Sequence, residues 1–94
     1  TLPFEYKIIG SYPNPFNPET TIRYSLGGES DVDVEIFEIN GTRVLNGKET
    51  GKQAGIYNYK WNASAHASGV YFVRITAKGK NGLYTLTSKL MLVK

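Results

Sequence analysis

The chain of 94 residues has no cysteine, one histidine and one tryptophan. Lack of cysteine excludes disulfides, a thiol nucleophile, cysteine-ligated zinc and a redox dithiol together. It does not set the compartment, since exported proteins also occur without cysteine. No apolar run approaches the ~18 residues that a spanning helix needs, and no basic-then-apolar leader opens the chain, so no membrane insertion is expected. Thr1 stands where an initiator Met would, which we read as the mark of a processed or excised piece. Eleven Lys and Arg against eight Asp and Glu give a net charge of +3, but the basic residues are scattered among the acids. Nucleic-acid recognition calls for a basic stripe, which this pattern does not supply.

What is present suits β structure. Size scaling puts about 64% of the unfolded surface out of water on folding, enough for one core and one domain over residues 1–94. Tyrosine is the commonest aromatic, with seven copies, and ten glycines recur at loop-like intervals. Apolar positions alternate with period two rather than 3.6, so strands are expected and helices are not.

Phe4, Tyr6 and Ile8 alternate with Glu5 and Lys7 and predict an opening edge strand ending at Gly10. Residues 12–18 carry three prolines, which fix φ and force extended neighbours, giving a rigid non-helical link. Ile22, Tyr24 and Leu26 predict a second strand, stopped by Gly27 and Gly28. Val32, Val34 and Ile36 predict a third, after which Phe37 and Ile39 move the apolar parity and suggest a bulge or two-sided burial. Asn40-Gly41 predicts a two-residue type I′ hairpin into a return strand over 42–45. Residues 46–55, with three glycines, read as a loop. Tyr57, Tyr59 and Trp61 mark a fifth strand, Tyr71, Val73 and Ile75 a sixth, and Tyr84, Leu86, Leu90 and Leu92 a seventh. About seven short strands at spacings near ten residues point to an all-β, immunoglobulin-like antiparallel sandwich.

Few constellations suggest chemistry. His66, the single histidine, would have to join Ser64 or Ser68 and Asp31 or Asp33 in a hydrolytic triad. Its small, polar surroundings over 62–69 predict a solvated loop instead. Glu29, Asp31, Asp33 and Glu35 alternate, and same-face strand positions lie nearly 7 Å apart, too far for easy convergence on Ca²⁺. They read as a charged strand face, with no metal site and no cofactor expected. Tyr57, Tyr59 and Trp61 suit either a core face or a platform for stacking sugars, and a small disulfide-free sandwich needs them in the core.

The string over 12–22, Tyr-Pro-Asn-Pro-Phe-Asn-Pro-Glu-Thr-Thr-Ile, resembles the signature opening the type A C-terminal sorting domain of the type IX (Por) secretion system. Tyr12, Pro13, Asn14, Pro15, Phe16, Asn17 and Pro18 carry that first block. Residues 34–44 with Gly41, residues 54–57 with Gly55 and Trp61, and residues 67–75 with Gly69 and Tyr71 resemble the following blocks, in the same order. The basic-ended run over 88–94 resembles the terminal strand. The middle blocks are also similar to the immunoglobulin-like domain of flagellar hook-capping proteins.

The resemblance implies a sorting signal at the C-terminus of a larger exported protein, often a hydrolase or adhesin, with no catalytic activity of its own. It implies passage through the periplasm of a Gram-negative bacterium and reading by an outer-membrane secretion translocon. A sortase-like signal peptidase then removes the domain in many members and joins the cargo to surface lipopolysaccharide. Lys89, Leu90, Met91, Leu92, Val93 and Lys94 are the expected recognition element, because an apolar terminal strand flanked by lysines can be captured by edge pairing. The alternative is a retained immunoglobulin-like accessory module that packs on a secreted hydrolase or binds carbohydrate.

Overall fold

Period-two alternation sets the strands of the computed structural model, which describes residues 5–80 and 82–93. Seven strands form: β1 (Lys7–Tyr12), β2 (Glu19–Leu26), β3 (Ser30–Glu38), β4 (Arg43–Lys52), β5 (Gly55–Asn62), β6 (Gly69–Gly79) and β7 (Gly82–Leu92). They make a three-stranded sheet ordered β1-β2-β5 and a four-stranded sheet ordered β4-β3-β6-β7, every neighbouring pair antiparallel. The chain changes sheet after β2 and returns at β5, so β5 pairs with β2 across an intervening hairpin, a Greek-key connection. This is the expected immunoglobulin-like sandwich, with the fourth strand in the sheet of the third.

The inward parity of both sheets supplies the core. Ile22, Tyr24 and Leu26 from β2 and Trp61 from β5 face Val34 and Ile36 from β3, Val73 and Ile75 from β6, and Leu90 and Leu92 from β7. Tyr71 near the start of β6 donates its hydroxyl to the Ala67 carbonyl at 2.6 Å. A tyrosine that bonds back to the corner before this strand is a device of immunoglobulin-like sandwiches.

Three local expectations need correction. β1 does not stop at Gly10 but runs to Tyr12, with a register shift between Ile8 and Gly10 that leaves Ile9, an exposed residue, as the extra one; Phe4 lies outside the described residues. The Asn40-Gly41 turn is not type I′, since only Gly41 has positive φ, at 92°. Gly41 N–H donates to the Glu38 carbonyl and Glu38 N–H to the Thr42 carbonyl, leaving Ile39, Asn40 and Gly41 as a three-residue hairpin loop with glycine in the left-handed position. Residues 46–52 belong to β4 rather than to a loop. Gly47 serves packing, since a Cβ there would stand 2.9 Å from the Tyr59 hydroxyl, which reaches across the sandwich; Gly51 instead takes a positive φ of 65°. The parity change at Phe37 reflects apolar residues on both faces of β3: its register against β6 is unbroken, Phe37 stands opposite Phe72 on the outer face, and the shift against β4 is taken up at Val44.

Ile75 is fully buried at the centre of the four-stranded sheet. Ile75→Ala is expected to cost about 2–5 kcal/mol, read as a lower urea midpoint with an unchanged denaturant slope.

Candidate functional site

β7 and β1 are edge strands of opposite sheets and border the same side of the sandwich. Leu90 and Leu92 on β7 point inward and are essentially inaccessible. The side between the two sheets must therefore be sealed, and two devices do this. At one end Tyr6 stacks on Tyr84, ring centroids 3.8 Å apart and planes within 7°. At the other the proline-rich segment leaves β1, crosses to β7 and returns to begin β2.

The crossing is a short clasp. Phe16 N–H donates to the Met91 carbonyl and Val93 N–H donates to the Phe16 carbonyl, both at 2.9 Å, forming a parallel bridge between Phe16 and Leu92. Prolines cannot donate to a ladder, so Pro13 and Pro15 cannot extend this pairing as a normal strand would. Asn14 substitutes with its side chain. Its Nδ2 donates to the Lys89 carbonyl and its Oδ1 accepts from Met91 N–H, both at 3.1 Å, so one carboxamide stands in for a peptide group. The flanks of the segment are tied to the other sheet: Thr20 Oγ1 donates to the Pro13 carbonyl, and Ala63 N–H to the Pro18 carbonyl.

Phe16 is 2% exposed and closes this end of the core. Its ring packs on Trp61 at 5.5 Å, and Trp61 packs on Tyr71 edge-on at 5.3 Å. Burial pushes the Tyr71 hydroxyl above the ordinary tyrosine range, with the Glu38 carboxylate adding to the effect. Asn14, Phe16, Trp61, Tyr71 and residues 89–93 therefore converge at one end. Gly41 lies at the same end, because the β3 terminus pairs Glu38 with Tyr71. Gly55 lies at the other, opposite Leu26. Tyr12 is exposed, and Lys94 lies outside the described residues.

The remaining candidates separate. Trp61 is 3% exposed, and Tyr57 and Tyr59 are half-buried against the core, so this stripe serves as a core face. His66 is not a solvated loop residue: it is half-buried, its ring 5.7 Å from Trp61 and 6.2 Å from Tyr71. It cannot join Asp31 or Asp33. Those pair with Lys78 and Thr76, seven or more strand residues beyond Gly69, roughly 23 Å away.

The acidic run is spent on local bonds. Asp33 accepts from Asn46, Asp31 from Gly51 N–H, and Glu29 from Gln53. Among the described residues no three His, Asp or Glu converge as a metal site would require. Glu35 is the exception to the charged-face reading, a nearly buried carboxylate held by two arginines. Arg74 donates to Oε1 through Nη2 at 2.8 Å and Nε at 3.2 Å, and Arg43 donates to Oε2 at 3.1 Å. The Arg74 hydrogen bonds, with help from Arg43, outweigh burial and hold this carboxyl below the usual range. The alternating acids gave no hint of the pair of arginines, which come from β4 and β6.

A family model for the secretion system C-terminal sorting domain matches residues 11–92. The search of curated proteins returned no match. Among solved structures the chain is similar to the crystal structure of CopC from Methylosinus trichosporium OB3b, with a TM-score of 0.60 and 15% identity over 94% of this chain and 93% of that one. At that identity the likeness shows the sandwich fold alone.

Two outcomes follow from the geometry. Asn14→Ala is expected to cost about 0.5–1.5 kcal/mol, since both of its bonds to β7 are solvent-exposed and water can replace them; hydrogen exchange should accelerate at Met91 N–H before it does in β3 or β6. The depressed Glu35 pKa means that its stabilisation is complete above the unfolded carboxyl pKa of about 4.3 and is lost as pH falls through the lower folded value. Glu35→Gln should therefore lower stability near neutral pH and flatten its decline below about pH 4, checked by urea titrations across that range.

Proposed function

Because the chain belongs to the family of secretion system C-terminal sorting domains, which direct the protein preceding them through the type IX system, we propose that residues 89–94 are the element its machinery reads. The family is not an enzymatic one, and its cargo is delivered to the cell surface or beyond. The observation that carries the proposal is the clasp. The most distinctive string of the chain, over 13–18, is devoted to seating this one strand against the fold.

In this reading the cargo crosses the periplasm with the domain folded, and the outer-membrane translocon engages the terminal strand. A sortase-like peptidase then separates domain from cargo. Engagement uses side chains that alternate outward, Lys89, Met91 and Val93, of which Met91 is 36% and Val93 49% exposed. Leu90 and Leu92 act indirectly, by anchoring the strand in the core.

That division governs the test. Removing residues 89–94 strips two leucines from the core as well as the signal, so the truncation should both retain cargo in the periplasm and unfold the domain. Lys89→Glu with Met91→Thr changes only outward side chains. In the full-length protein this pair should cut export by about 10-fold or more while the retained domain keeps the protease resistance of the parent. Normal export of the pair would refute the assignment.

A further inference from the structure

We propose that the outward face of β3, β6 and β7, at the end where Leu90 is buried, is the docking surface for a protein of the secretion machinery that presents apolar side chains bordered by carboxylates. The inference rests on the reading of the terminal strand above and extends it to residues remote in sequence.

The three outward residues of the terminal strand are too few to make an interface. Specific protein contacts bury about 800 Å² per partner, whereas Lys89, Met91 and Val93 occupy alternate positions on one strand. The outer edge of that strand offers little more, since Met91 C=O and Val93 N–H are already bonded to Phe16. Further area must come from the adjoining sheet face. There the register places Val70 beside Met91, Phe72 beside Lys89, and Phe37 beside Phe72. The inward parity of β6 belongs to Tyr71, Val73 and Ile75, so Val70 and Phe72 face out; Phe37, next after inward Ile36 and opposite Phe72 in unbroken register, faces out with them.

Val70, Phe72 and Phe37 are each only partly buried, and together with Met91 they form an apolar band across three strands. A sandwich of two layers leaves its outer faces to water, where polar residues are expected. A contiguous apolar band on such a face marks an interaction surface. It is also the sequence feature that strand alternation alone does not account for, the change of apolar parity at Phe37.

Charge selects the partner. Arg43, Arg74 and Lys89 border the band, and Glu35 is the carboxylate that neutralises one of them. Lys89 has no ion pair among the described residues, and the Arg74 guanidinium lies 4.8 Å from the Phe37 ring centre. Two copies meeting through this face would oppose like charges, which is costly at an interface. A partner ridge bordered by Asp or Glu meets both the apolar band and its cationic margin.

The full-length protein is expressed in its native host with Phe37→Thr, Phe72→Thr or Met91→Thr, and with Ile56→Thr as an exposed apolar control on the other sheet. Thr87→Glu, an exposed position on the same face, adds negative charge without altering the core and decides the matter if a phenylalanine variant fails to fold. Export is measured alongside protease resistance of the retained domain. The expected result is a loss of about 10-fold for the face variants and for Thr87→Glu, with the control unchanged. If Met91→Thr loses export while Phe37→Thr, Phe72→Thr and Thr87→Glu keep it, the signal is confined to the terminal strand and the docking face is overturned. If all variants export normally, the terminal-strand reading fails as well. Dissociation of a dimer by the face variants in light scattering would assign the band to self-association and overturn the proposal.

Discussion

Two leucines on an edge strand, Leu90 and Leu92, must be kept dry in a sandwich with no disulfide to hold its sheets together. An edge strand has neighbours on one side only, and its free backbone groups invite pairing with other chains. Here the chain covers its own last strand with its first segments. Tyr6 lies on Tyr84, and Phe16 bridges to Leu92 while plugging the core beside Trp61. The domain thus closes by contacts between residues some seventy-five positions apart, as in the Asn14 to Lys89 bond with a separation of 75. Such a closure can form only when the whole domain has been made and folded.

The proline-rich block follows from the same constraint. An ordinary strand beside β7 would have extended the sheet and created a new edge in turn. Prolines at 13, 15 and 18 end the pairing after a single bridge. What pairing remains is supplied by Phe16 and by the Asn14 carboxamide, and the block then returns to β2. The motif is therefore a terminator for the sheet as well as a lid on the core.

Much of the fold was legible because period-two alternation reports directly which residues face inward. It located the strands in β2, β3, β5, β6 and β7 and nearly all of the core. It failed where alternation is not the governing physics. β4 is an edge strand whose glycine at 47 makes room for Tyr59 on the opposite sheet, a reason invisible without knowing that the two meet. Asn40-Gly41 is a correct hairpin signal, but loop length depends on the flanking register, which no dipeptide encodes. The site was legible in a different way. The block over 12–18 and the terminal run were each recognisable as motifs, yet their contact was not, because Asn14 acts as a substitute peptide group only in three dimensions. His66 and Glu35 were misjudged for the same cause: their partners, Trp61, Tyr71, Arg43 and Arg74, come from other strands.

The clasp also bears on how the strand would be read in the role proposed for it. A linear tag is read with its backbone free, by addition to a partner's sheet. In this domain the backbone of residues 89–93 is already engaged, on one side by β6 and on the other by Asn14 and Phe16. Reading by strand addition would require breaking those bonds and uncovering Phe16, Leu90 and Leu92 together. Reading by surface side chains requires none of this. For the recognition element proposed above, the energetics favour reading as a folded surface, in which the terminal strand would supply outward residues and the sheet behind it the rest. Only a completed sandwich brings Phe37, Phe72, Lys89 and Met91 onto one face.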